Sequence, residues 1–168
     1  VGTAFTNTET SCGTPVSYVG SALTAMVTIT GLADATDYHW QVRTKDGFGA
    51  YSSWVSFGGN AESVADFSID DTDPNGTLYD GSSVGVDIEY NDGTLDQLDA
   101  NWNITDGGSG VALYEYSIGT TSGGTDVVSW TNNGTTASAS ATSLSLETCS
   151  VYYFNVRSTD NAGNQSVL

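Results

Sequence analysis

Asp66, Asp70, Asp71 and Asp73 crowd one short stretch of the chain, and Asp106 and Asp160 stand in turn-rich sequence further on. Carboxylate oxygens are hard ligands, so clustered aspartates are chemistry for a divalent cation such as Ca²⁺, which takes about 6–8 oxygens. The expectation is a calcium site at Asp66, Asp70, Asp71 and Asp73, at a module junction, with Asp106 and Asp160 as candidates from nearby loops. The spacing is not that of an EF-hand loop, and a solvated acidic tract is the competing reading.

Covalent and acid–base catalysis find no comparable cluster. His39 is the only histidine, and it stands one place out of step with Tyr38, Trp40 and Val42 of its strand. Without a second histidine or a nucleophile paired to a base, no triad can be assembled, so the chain is expected not to be an enzyme. Cys12 and Cys149 fit no zinc spacing and make no disulfide scaffold. Tyr18, Tyr51, Trp54, Trp130 and Tyr153 are the aromatics expected nearest the surface, either as platforms for sugars or partner proteins or simply as strand packing. Asn75-Gly76-Thr77, Asn103-Ile104-Thr105, Asn133-Gly134-Thr135 and Asn164-Gln165-Ser166 match the glycosylation sequon, which matters only in a glycosylating host.

What must position these residues is a β-rich chain. Its 168 residues carry 20 acidic and only 3 basic side chains other than histidine, a net charge of −17. No basic face exists to neutralise phosphates, which excludes nucleic acid as a partner, and anionic membranes are equally disfavoured. Apolar residues alternate with polar ones and never run to the length of a membrane span. The stretch Tyr38-His39-Trp40-Gln41-Val42-Arg43-Thr44-Lys45-Asp46-Gly47 returns without a gap as Tyr152-Tyr153-Phe154-Asn155-Val156-Arg157-Ser158-Thr159-Asp160-Asn161, 114 positions later. A recurring strand followed by a turn marks repeated β-modules.

The repeat sets the expected boundaries. Residues 1–57 read as the C-terminal part of one module, residues 58–73 as an acidic linker, and residues 74–168 as a second module opened by the turn Pro74-Asn75-Gly76. In the second module, strands are predicted near Thr77–Tyr79, Val84–Glu89, Leu95–Ile104, Val111–Gly119, Asp126–Trp130, Ala137–Leu146, Tyr152–Thr159 and Ser166–Leu168. Many short strands divided by turn chemistry are the pattern of a β-sandwich.

The second module resembles the fibronectin type III domains of large secreted or surface bacterial proteins. Leu98-Asp99-Ala100-Asn101-Trp102 looks like that family's second strand with its core tryptophan, and Tyr114-Glu115-Tyr116-Ser117-Ile118 like its third. Leu146 stands six residues before Tyr152, the leucine-to-tyrosine spacing of the corner before the sixth strand, and Leu32 and Tyr38 repeat it in module one. The resemblance implies tandem immunoglobulin-like sandwiches, the first lacking its N-terminal strands because nothing matches Thr77–Tyr114. It implies a core of Trp102, Tyr114, Tyr116, Ile118, Leu146, Tyr152, Phe154 and Val156. It turns Tyr38, Trp40 and Val42 inward and His39 to solvent. It sets Arg157 beside Glu115 as an exposed cross-strand pair worth about 0–1 kcal/mol. It places Cys12 and Cys149 at equivalent poles of successive modules, about 30–40 Å apart, too far for a bridge within one chain.

The function that follows is a non-catalytic, extracellular structural or adhesion module, a segment of a larger multi-repeat surface, secreted or filament protein. The expected partners are neighbouring repeats or a second copy supplying the missing strands, and a carbohydrate or cell-surface protein. The alternative is an accessory spacer or sugar-binding module of a secreted polysaccharide-degrading enzyme.

Overall fold

The computed structural model describes residues 26–59, 61, 63–91 and 95–168. The expectations for Cys12 and Tyr18, and for the part of module one that precedes residue 26, lie outside those residues. The chain divides into two compact units, Val1–Asp70 and Asp71–Leu168. Among the described residues no helix is long and apolar enough to cross a membrane.

In the first unit, strand β1 (Thr36–Tyr38), strand β2 (Gln41–Val42), strand β3 (Val55–Ser56) and strand β4 (Phe67–Ile69) make two antiparallel pairs, β1 with β4 and β2 with β3. The stretch read as a linker therefore contains a strand. The expected inside-out pattern is reversed here. Trp40 and Val42 are 45% and 48% exposed, while His39 and Arg43 are half-buried. No facing sheet lies over Trp40 and Val42 among the described residues, so Trp40 stacks on Phe57 instead, with ring centres 5.2 Å apart. Arg43 lays its guanidinium over Tyr51 at 3.9 Å and Trp54 at 4.5 Å.

The second unit is all-β, with two sheets packed face to face. Its strands are β5 (Leu78–Asp80), β6 (Gln97–Trp102), β7 (Val111–Gly119), β8 (Val128–Gly134), β9 (Ser138–Thr142), β10 (Tyr153–Asp160) and β11 (Gln165–Val167). One sheet has the order β5-β6-β9 and the other β11-β10-β7-β8. Alternation sends Ala100 and Trp102 of β6 and Ala141 of β9 inward against Tyr114 and Ile118 of β7 and Phe154 and Val156 of β10. Every residue of the predicted core is buried or packed against it. Trp102 meets Tyr114 edge-on at 5.5 Å, and Tyr116 stacks on Phe154 at 5.3 Å. Ile104, in the loop after β6, joins the core at 3% exposure and was not foreseen.

The predicted strand Val84–Glu89 does not form. The segment after β5 is instead pinned by Asn101, which is 2% exposed. The Asn101 side chain accepts from the Gly85 amide and donates to the carbonyls of Gly81 and Ser83. A buried side-chain amide satisfied by three loop groups outcompetes a fresh strand edge for that backbone.

The two units share a hairpin. In the first, Lys45 lies opposite Tyr51; in the second, Thr159 lies opposite Gln165. Each partner has moved by the same 114 positions, so the repeat preserves register as well as sequence. The corner before the hairpin is preserved too. The Tyr152 hydroxyl accepts from the Glu147 amide at 2.8 Å, and the Tyr38 hydroxyl accepts from the Ala33 amide at 2.7 Å. Tyr152→Phe should therefore lower the stability of the second unit by about 1 kcal/mol, the net worth of one such bond. Urea unfolding followed by tryptophan fluorescence would measure it.

Candidate metal centre

One end of the second unit gathers two carboxylates through two loops. Asp106 follows β6, in the sequence Asp106-Gly107-Gly108-Ser109-Gly110, and Asp160 closes β10 before Asn161-Ala162-Gly163-Asn164. Short polar side chains followed by glycines favour loops in which the carboxylate caps successive backbone N–H groups. Both loops do so. Asp106 Oδ2 accepts from the amides of Gly108 at 3.1 Å and Gly110 at 2.6 Å. Asp160 Oδ1 accepts from Gly163 at 2.6 Å and Asn164 at 2.8 Å, and its Oδ2 from the Asn164 side chain at 2.8 Å. Gly110 at φ 79° and Gly163 at φ 101° supply the left-handed turns these loops require.

The loops are stitched to one another. The Asn161 amide donates to the Gly110 carbonyl, its side chain to the carbonyls of Ser109 and Gly110, and the Ala162 amide to Ser109 Oγ. The result brings an oxygen of Asp106 and an oxygen of Asp160 within 4.8 Å of one another. The chain enters the unit beside them. Asn75 exchanges two backbone bonds of 2.9 Å with Thr105, and the Thr72 carbonyl lies 3.4 Å from the Asn164 side chain. Asp70 is the last residue of the first unit; within the second unit, Asp106 and Asp160 are a pair of carboxylates that could coordinate a divalent cation such as calcium.

The lone-pair inventory tests the fit. A carboxylate offers about four acceptor positions. Asp160 has used three and Asp106 two, and Asp106 Oδ1 is buried without a hydrogen-bond partner among the described residues. A buried, unsatisfied carboxylate oxygen costs free energy unless a proton donor or cation meets it. A hard cation answers that need.

The other aspartates named from the sequence are placed differently. Asp66 spends Oδ2 on the Trp40 amide at 2.9 Å in the first unit. Asp71 and Asp73 are exposed. Asp106 and Asp160 were secondary candidates in the sequence, and the signal that singles them out is the pair of aspartate-glycine loops flanking β7 and β10. Of the surface aromatics, Trp130 is half-buried and carries Arg157 on its ring face at 4.7 Å, while Tyr51 and Tyr153 are 44% and 42% exposed. Arg157 pairs with Glu115 across the strands as expected, at 2.6 Å between Nη2 and Oε2, but the pair is half-buried and not exposed. Cys149 is an exposed free thiol.

No family model, curated protein or solved structure matches the chain.

Two carboxyls elsewhere in the unit have displaced pKa values of opposite sign. Bonds from the Thr120 hydroxyl and the Thr120 amide hold Asp126 below its ordinary 3.8, so its contribution to stability is present above 3.8 and lost as pH falls through the folded value. Asp80 is pushed above 3.8, by desolvation first and by the Asp87 carboxylate second. Its ionised form is penalised in the fold, and the penalty is complete above the folded value and absent below 3.8. Asp80→Asn should accordingly raise the melting temperature at neutral pH, with the gain vanishing as the buffer approaches pH 3.8. Paired thermal scans across that range would check it.

Proposed function

We propose that this chain is a non-catalytic, cation-stabilised segment of a larger extracellular protein built from tandem fibronectin type III-like sandwiches, serving as a spacer or adhesion module. The observation that carries the reading is the shared hairpin register, Lys45 with Tyr51 and Thr159 with Gln165, under the same tyrosine corner in both units. A chain that repeats a folding unit at a fixed interval is specified for length and display. The all-β sandwich and the acidic charge of −17 suit a spacer kept soluble by self-repulsion. The carboxylates Asp106 and Asp160 supply hard oxygen ligands for a calcium ion that would tie the loops at one end of the second sandwich.

Sequencing the gene beyond both ends of this segment tests the reading. Further copies of the hairpin at an interval near 114 residues support it. A flanking glycosidase domain with no further copies would replace it with an accessory role in polysaccharide degradation.

A further inference from the structure

We propose that the Asp73–Pro74 peptide bond is a self-scission site, cut in acidic solution by the carboxyl group of Asp73 itself. The chain holds two prolines, in Thr14-Pro15 and Asp73-Pro74, so this is its single Asp–Pro bond. Proline makes a tertiary amide whose nitrogen carries no hydrogen and whose resonance is more easily disturbed by substitution. In the step proposed, an oxygen of the Asp73 carboxyl attacks the main-chain carbonyl carbon of the same residue and closes a five-membered ring. The tetrahedral centre collapses by breaking the C–N bond, and the carboxyl proton passes to the Pro74 nitrogen, which leaves as a secondary amine. Water then opens the cyclic anhydride, giving Asp73 a side-chain carboxyl and a new C-terminal carboxyl. The balance is hydrolysis of one peptide bond, with water the sole co-reactant.

Two features of the second unit favour this bond. Its attacking group is free. Asp106, Asp126 and Asp160 all accept hydrogen bonds, whereas Asp73 is exposed and has no hydrogen bond or ion pair among the described residues. The leaving side is held. Pro74 is among the fully buried side chains, below 2% exposure, and Asn75 is fixed by its paired bonds to Thr105. A residue before proline is confined to extended backbone, so the carboxyl needs only a side-chain rotation to reach its own carbonyl, the condition under which intramolecular attack is fast. Scission would separate residues 1–73 from residues 74–168 and release the sandwich with Pro74 at its amino terminus.

The test holds the full chain at the lowest pH where tryptophan fluorescence is still native and follows intact mass over hours. The expected result is a pair of fragments, residues 1–73 and 74–168, formed in the folded chain at a rate within roughly tenfold of that in urea at the same pH. Asp73→Ala should leave this bond intact. Asp73→Glu, which must close a larger ring, should slow the cut by about tenfold or more. Both variants should keep the wild-type melting temperature, because the side chain has no partner to lose. Cleavage of Asp73→Ala at the wild-type rate would overturn the proposal, as would fragments arising only at other bonds. So would a folded chain protected by more than about tenfold relative to the unfolded one.

Discussion

Trp102→Ala is expected to remove a large part of the stability of the unit formed by residues 71–168. The indole is 4% exposed, packs edge-on against Tyr114 and belongs to the layer shared by both sheets. Truncation removes its transfer free energy and leaves a cavity that rigid β-sheets cannot close, a loss of about 3–5 kcal/mol. A domain of this size has a total stability of roughly 5–15 kcal/mol, so the loss is a third or more of it over much of that range. Trp102→Phe separates volume from polarity. The indole Nε1 has no hydrogen-bond partner among the described residues, so phenylalanine gives up area without breaking a bond and should cost far less than alanine. Near-ultraviolet circular dichroism and urea unfolding of both variants would measure the difference.

The second large effect is expected at Asp160, which is 2% exposed and satisfies three donors at once. Asp160→Ala leaves the amides of Gly163 and Asn164 without their acceptor and frees the Asn164 side chain that lies against the Thr72 carbonyl. A donor left unsatisfied by loss of its acceptor costs about 1–3 kcal/mol, and Asp160→Ala orphans more than one. Asp160→Asn keeps an acceptor oxygen and should recover part of the loss in the absence of metal. Glu115→Gln, which weakens only the half-buried pair to Arg157, should change stability by about 1 kcal/mol. Thermal unfolding of the three variants in chelator would rank them.

The sandwich of residues 71–168 was legible in the sequence because its residues agree at every level. The resemblance to fibronectin type III domains implied that Trp102, Ile118, Phe154 and Val156 lie inside and that a corner falls between Leu146 and Tyr152, and the structure contains that corner's hydrogen bond. Val84–Glu89 misled because Val84, Val86 and Ile88 alternate like a strand. What decides their backbone is a distant side chain, Asn101, which no local pattern reveals. His39, Trp40 and Val42 misled for a related reason. Inward and outward have meaning only when a facing layer exists, and none of the described residues supplies one there. The metal reading named carboxylates, but its place in the chain was diffuse. Density of aspartates drew the eye to residues 66–73, whereas the loops that bring Asp106 to Asp160 are joined by Asn161 bonds across more than fifty positions of sequence.

The central claim, a sandwich whose loops at one end are tied by a divalent cation, is tested most directly by calorimetric titration of Ca²⁺ into the metal-free chain, with the melting temperature read in parallel. The account predicts saturable heat with about one ion per chain. It also predicts a rise in melting temperature equivalent to about 2.7 kcal/mol when free Ca²⁺ reaches a hundred times Kd, with both effects lost in Asp106→Asn. An absence of heat together with an unchanged melting temperature would contradict it.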